Sequence, residues 1–224
     1  MNYTSILVGI VAVKLLDDDD AIVRMTNNGK VWEPETRQVW SALVQRGGMV
    51  IDIGAYTGIY AIASSLIGAK VVALEPHPAN YLRLLENAKL NGVGSNSRSV
   101  RFDALKWAAS NCGGHRALKM TKPETSLSDT AAFNGGPYQW DVPCIPVDDL
   151  VLSFAPTLIK IDAEGHELEI IKGATHTLKR YRPVVLVECL SQAAVLAIAD
   201  QMEVLGYASD GVLDRRNWLY RARS

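Results

Sequence analysis

The chain has 224 residues, 23 Lys and Arg against 24 Asp and Glu, a formal net charge of −1, and 48% hydrophobic residues. That length suits one domain with a sizeable core, and the balanced charge removes any bulk attraction to nucleic acid or to an anionic membrane. The three scattered cysteines, Cys112, Cys144 and Cys189, are too few for a disulfide framework or a zinc site and read as free thiols in a reducing cytoplasm.

The apolar run at 6–13 is too short to span a bilayer, lacks the flanks of a secretory signal, and reads as strand. Residues 3–16 and 21–26 are β-like. The acidic run 17–20 between them lacks the spaced oxygens of a calcium loop and is expected to be a solvated hairpin turn. Pro34 suits the first turn of a helix with Val39, Trp40, Leu43 and Val44 at helical spacing, ended by Gly47 and Gly48. Met49–Ile53 reads as a buried strand, followed by a helix with Ile59, Ile62, Ala63 and Leu66 inward. Lys70–Leu74 is the next strand. Pro78 opens a helix with Leu82, Leu85 and Ala88 inward and Asn91-Gly92 at its end.

A further strand falls within 99–109. The segment 119–141 mixes polar residues and the breaker Gly135-Gly136-Pro137 with Phe133, Tyr138 and Trp140. It reads as a long loop, either a lid or substrate wall or an inert surface excursion. Residues 158–162 form a strand, 165–180 a helix with Leu168, Ile171, Ala174 and Leu178 inward, 183–188 a strand and 193–205 a helix. The pair 207–212 and 217–222 closes the chain as an antiparallel hairpin. Alternating strands and helices predict an α/β fold with a doubly wound, mostly parallel sheet. One domain is expected, with 1–31 a short N-terminal β extension and 32–224 the core.

In such sheets ligands bind beyond the carboxyl ends of the strands, where Asp52, Glu75, Asp162 and Glu188 all fall. After Asp52 comes a turn with glycines four apart, Gly54 and Gly58. Gly54 lets the backbone turn sharply, and Gly58 lets a ligand or strand approach the new helix. Glu75, at the end of the second strand of this βαβ unit, suits the hydroxyls of a ribose. A dinucleotide site wants a middle glycine where Tyr56 stands, and Asp52 would repel a diphosphate. The pattern favours S-adenosylmethionine, a cationic nucleoside without phosphate.

These residues resemble the FkbM family of S-adenosylmethionine-dependent methyltransferases, of the Rossmann-like class. The resemblance is carried by Ile51-Asp-Ile-Gly-Ala-Tyr-Thr-Gly58, by Ala73-Leu-Glu-Pro-His-Pro78, and by Leu158-Ile-Lys-Ile-Asp-Ala-Glu-Gly-His-Glu-Leu-Glu-Ile-Ile-Lys-Gly173, preceded by Pro146-Val-Asp-Asp-Leu150. It implies O-methylation of a hydroxyl on a sugar, a glycan or a secondary metabolite. Asp52, Gly54, Ala55, Tyr56, Thr57 and Gly58 would form the methionine side of the cofactor site. Glu75 would take the ribose, with Pro76 and His77 beside the adenosine. His77 reads equally as a solvated helix-entry residue. Trp107 and Ala108 would meet the adenine edge; no acid stands there, and Asp103 is the alternative. Tyr56 departs from the asparagine often found in the family.

Asp162, Glu164 and His166 are the catalytic candidates. Asp162 would also orient the cofactor, and Glu164, projecting to the same side if the strand continues, or His166 would take the proton. A helix N-terminus would keep His166 neutral. Lys160, inside an apolar strand, is expected to pair with Asp148 or Glu188. A divalent cation on Asp162 and Glu188 is conceivable, but no ligand cluster demands one and no metal is assigned. A homodimer is left open. Competing readings are a nucleic-acid methyltransferase, against which the neutral charge argues, and a catalytically silent nucleoside-binding protein.

Overall fold

The computed structural model describes residues 2–17, 19–94, 101–123, 126–128, 131–133, 136–150 and 152–223. Asp18 of the acidic run, the first residues of the strand expected within 99–109, and 124–125, 129–130 and 134–135 of the 119–141 segment lie outside these.

The chain starts with a hairpin, β1 (Tyr3–Val8) and β2 (Val11–Leu16), then α1 (Ala21–Asn27) and α2 (Pro34–Leu43). The core follows as β3 (Met49–Ile53), α3 (Ile59–Ile67), β4 (Lys70–Leu74), α4 (Pro78–Leu90) and β5 (Phe102–Leu105). Next come β6 (Ala108–Ala109), β7 (Gly114–Met120), β8 (Ala131–Ala132) and β9 (Tyr138–Ile145). The last part is β10 (Pro156–Ile161), α5 (Glu167–Lys172), α6 (Thr175–Tyr181), β11 (Val184–Glu188), α7 (Gln192–Val204), β12 (Tyr207–Leu213) and β13 (Asn217–Ala222).

The main sheet runs β12-β13-β11-β10-β3-β4-β5, parallel from β11 to β5 and antiparallel at β13 and β12. The chain winds outward in one direction through β4 and β5 and in the other through β11. The switch point therefore lies between β3 and β10, where such sheets open a crevice. Strand residues alternate between two apolar layers. Val50, Leu158 and Leu186 face the layer with Trp40, Tyr60 and Ile62, while Ile51, Ile159 and Val185 face the layer with Ile171 and Met202. The hairpin shares the first layer through Ile6, Val8, Val13 and Leu15.

Residues 21–26 are helical rather than β-like. Asp20 caps α1, its buried carboxylate accepting from the Ile22 and Val23 amides at 2.8 and 3.1 Å, so the acidic run ends in a buried cap and not in a solvated turn. The hairpin turns instead at Gly9 and Ile10. In α4 the inward residues are Asn80, Leu84, Asn87 and Ala88, with Leu82 and Leu85 exposed. Amides of β2 decide this: Asn87 Oδ1 accepts from Leu16 N and Asn91 Oδ1 from Lys14 N, both at 2.9 Å, so polar residues are needed on that face. Leu66 of α3 is likewise exposed.

The helix expected over 165–180 is two helices, broken where Gly173 meets the Ser110 carbonyl so closely that a Cβ would lie 2.0 Å from its oxygen. The 119–141 segment is not one long loop. Both its ends are strands of a second sheet, ordered β6-β9-β7-β8, whose core is Leu118, Met120, Val142 and Cys144.

Candidate functional site

A cavity of about 410 Å³ opens at the switch point, within the usual range for small-ligand sites. Register explains its chemistry. Lys160 of β10 lies beside Asp52 of β3, Asp52 beside Ala73 of β4, and Glu188 of β11 beside Asn217 of β13. With side chains alternating at period two, Asp52, Glu75, Lys160, Asp162 and Glu188 share one face, and all of them line the cavity. Gly54 brings the two halves of this rim together. Its φ is +75°, and a Cβ there would fall 1.7 Å from the Asp162 carbonyl oxygen.

Asp52 is 1% exposed, and among the described residues neither carboxylate oxygen makes a close hydrogen bond, the Ala61 backbone amide giving its charge only minor support. Burial pushes its pKa up to about 6, with Lys160 opposing and Asp162 reinforcing. Glu75 is held by two backbone amides, Tyr56 N at 2.8 Å and His77 N at 2.9 Å, yet burial pushes it up to about 8. Glu188 is raised by burial and by Asp162 beside it. A buried acid without a partner is costly, and a cationic ligand would relieve that cost. The rim therefore fits the sulfonium nucleoside and disfavours a diphosphate.

Lys160 Nζ sits 2.6 Å from Asp162 and 5.0 Å from the Tyr60 ring centroid. Burial works against its charge, but Asp162, Glu33 and Asp52 outweigh it and hold its pKa above the usual lysine value. Its partner is therefore Asp162. The expected Asp148 instead caps α6, accepting from His176 N and Thr177 N at 2.8 and 2.7 Å. Glu33, Asp162 and Glu188 place one oxygen each within 4.8 Å of one another, a spacing a divalent ion could use. Lys160 is a resident cation beside that trio.

Besides Gly54, three described residues with positive φ line the cavity: Glu33 at 42°, Tyr56 at 50° and Glu164 at 52°. Such strain outside glycine clusters at functional sites. It explains why asparagine, which tolerates this conformation, would be easy at position 56. Tyr56 uses its side chain as well: its hydroxyl accepts from Ala21 N at 3.2 Å and ties α1 to the cavity. Glu33, buried before α2, accepts from Tyr60 Oη at 2.5 Å and Asn217 Nδ2 at 3.0 Å. Sequence reasoning missed Glu33, because both partners lie far along the chain.

Glu164 and His166 also line the cavity, but not by strand alternation, since β10 ends at Ile161 and Glu164 turns left-handed. His166 Nε2 lies 3.0 Å from Ser110 Oγ, and the Phe133 ring packs 4.4 Å from the imidazole between centroids. Its pKa falls to about 4 through burial, with Arg116 adding to the effect, so burial takes the part expected of a helix end.

Gly54, Ala55, Tyr56, Pro76, Trp107 and Ala108 reach the cavity, while Thr57, Gly58 and His77 do not. What packs closely at Gly58 is Ile62 and Leu84, each 3.1 Å from a Cβ built there. His77 is fully buried and caps α4, its Nδ1 accepting from Asn80 N at 3.4 Å, rather than standing in solvent. Asp103 pairs with Arg101 and is not among the cavity residues. Of the 119–141 segment, Ser128, Ala132 and Phe133 line the cavity, whereas Tyr138 and Trp140 are exposed.

Known proteins share this fold. A crystal structure of an FkbM methyltransferase from Methylobacillus flagellatus KT matches with a TM-score of 0.59 at 18% identity, over 89% of this chain and 59% of that one. A precorrin-6y C5,15-methyltransferase from Geobacter metallireducens GS-15 matches with a TM-score of 0.53 at 17% identity, over 85% and 88%. At these identities the likeness is one of fold. Hexuronic acid methyltransferase AglP from Haloferax volcanii is 30% identical over 147 residues, 60% of this chain and 53% of that protein. The chain thus spans about half the length of the curated relative it matches. The methyltransferase FkbM domain matches residues 52–208, and the chain belongs to that family of S-adenosylmethionine-dependent methyltransferases.

Proposed function

We propose that the chain is an O-methyltransferase that moves the methyl of S-adenosylmethionine to a hydroxyl of a sugar-like small molecule. The observation that carries the reading is the buried, unpartnered carboxylate of Asp52 in a rim with Glu75 and Asp162. Asp52 and the turn from Gly54 to Tyr56 would hold the methionine end, Glu75 the ribose, and Pro76, Trp107 and Ala108 the adenosine. Thr57, Gly58 and His77 would support that surface from behind. The bound cofactor supplies an electrophilic methyl on a cationic sulfur.

Asp162 would orient both ligands, and His166 or Glu164 would take the hydroxyl proton. Carboxylates that accept hydroxyl hydrogen bonds, beside Trp32, Trp107 and Phe133, suit a polyhydroxylated molecule. The name of the Haloferax volcanii relative points to the same class. The hairpin core shared with α3 supports one methyltransferase domain that includes 1–31, and the free thiols suit a reducing cytoplasm. No helix among the described residues is long and apolar enough to cross a membrane.

Calorimetry with S-adenosylmethionine, S-adenosylhomocysteine and NAD tests the cofactor, and a panel of sugars and uronates tests the second substrate. Binding of the first two alone, with methyl ether formed on a sugar, is the expected result. Binding of NAD, or methyl transfer confined to RNA, would overturn it.

A further inference from the structure

The His166 ring is linked to a chain of hydrogen bonds through Ser110. Asn111 Oδ1 accepts from the Arg116 guanidinium at 3.1 Å, and Asn111 Nδ2 donates to the Glu169 carboxylate. Arginine cannot accept and an ionised carboxylate cannot donate, so the amide has one orientation. Its oxygen also accepts from the Ser110 hydroxyl at 3.4 Å. Ser110 has a single proton to give. With that proton directed at Asn111, Ser110 Oγ can meet His166 Nε2, 3.0 Å away, only as acceptor. In that arrangement the hydrogen would sit on Nε2 and the lone pair on Nδ1. Nδ1 has no partner among the described residues and is not among the sealed polar atoms, while His166 itself lines the cavity.

We propose that Ser110 and Asn111 are positioning residues that lock His166 in its Nε2–H form, so that Nδ1 is the atom that receives the substrate hydroxyl's proton. The chemistry rests on the methyl-transfer reading; the tautomer does not. As the hydroxyl oxygen bonds to the methyl carbon, the carbon–sulfur bond breaks with its electron pair on sulfur. The hydroxyl proton passes to Nδ1, and Nε2–H stays on Ser110. The charge lost by sulfur appears on the imidazolium, with Glu169 favouring it and Arg116 opposing it.

Nitrogen-15 NMR of histidine-labelled protein without ligands reads the tautomer, with His166→Gln identifying the signal. Wild type should show Nε2–H alone. Asn111→Ala, an exposed change, frees the Ser110 proton to turn to Nε2 and should move the signal toward Nδ1–H. Ser110→Ala should give a mixture. In Asn111→Ala, kcat should fall about 10-fold, with S-adenosylmethionine affinity unchanged by calorimetry. Wild type in the Nδ1–H form, or a signal unmoved in both variants, would overturn the proposal. Wild-type protein that shows Nε2–H but binds no S-adenosylmethionine would instead sink the methyl-transfer reading.

Discussion

Two walls of the cavity differ in construction. One is the carboxyl edge of β3, β4, β10 and β11, where Asp52, Lys160 and Glu188 stand on paired parallel strands and Glu75 and Asp162 follow directly after them. The other is built from the β6–β9 sheet and the residues after Met120, and offers Ala108, Leu118, Ser128 and Phe133. The first wall concentrates buried charge that packing cannot move. The second supplies shape, with Ser110 and Phe133 in contact with the His166 imidazole. Under the proposed methyl transfer the difference is a division of labour: the charged wall would hold the cationic cofactor, and Leu118, Ser128 and Phe133 of the shaped wall would border the molecule that receives the methyl.

The most damaging test of the charged wall is Gly54→Ala. Its Cβ would collide with the Asp162 carbonyl at 1.7 Å in a backbone conformation unfavourable to alanine, so β3 and the turn after β10 must part. A loss of about 4 kcal/mol or more in urea unfolding is expected; a loss below about 1 kcal/mol would show that the two turns are not mutually dependent. Lys160→Met removes the cation among Asp52, Asp162 and Glu33 and should cost about 3–5 kcal/mol near neutral pH. The deficit should shrink in acid, as Asp52, raised to about 6, gains a proton.

Asp52→Asn should leave the free protein as stable as wild type or more so, since a buried carboxylate without a close hydrogen bond disappears. It should weaken S-adenosylmethionine binding by about 10- to 100-fold, the worth of a charge-assisted contact. Phe133→Ala sharpens the comparison from the other side. Cofactor affinity should hold while the KM of the methyl-receiving substrate rises about 10-fold, the order expected for a lost apolar contact. A drop in cofactor affinity equal to that of Asp52→Asn would erase the distinction between the walls.

The gentlest test is pH. Glu75 is raised in the folded protein to about 8, so its stabilising contribution is full below its unfolded value and is lost as pH climbs through 8. Asp52 behaves likewise up to about 6. His77 and His166, lowered to about 4, contribute above their unfolded value and lose that contribution as pH falls through 4. Between about 6.5 and 8 only the acids act, so the free protein's Tm should fall as pH rises while cofactor affinity increases. Tm and affinity moving together across that window would contradict the charged wall as the cofactor's.

What the amino-acid order determined by itself was whatever depends on neighbours a few residues away. Strand-terminal Asp52, Glu75, Asp162 and Glu188, the turn at Gly54 and the alternating strands and helices are all local patterns. Period and punctuation reveal them because each strand must bury alternate side chains and each turn must find a residue that can bend. Tertiary structure alone decided the rest. Asn87 and Asn91 face inward because β2 presents unpaired amides to them from more than 70 residues away. Asp20 is a buried cap because α1 packs over the cavity, and Lys160 chose Asp162 over Asp148 because α6 already needed the latter. Glu33 and Ser110 gain their meaning only from partners brought close by folding, since a hydrogen bond is set by distance in space, not by separation along the chain.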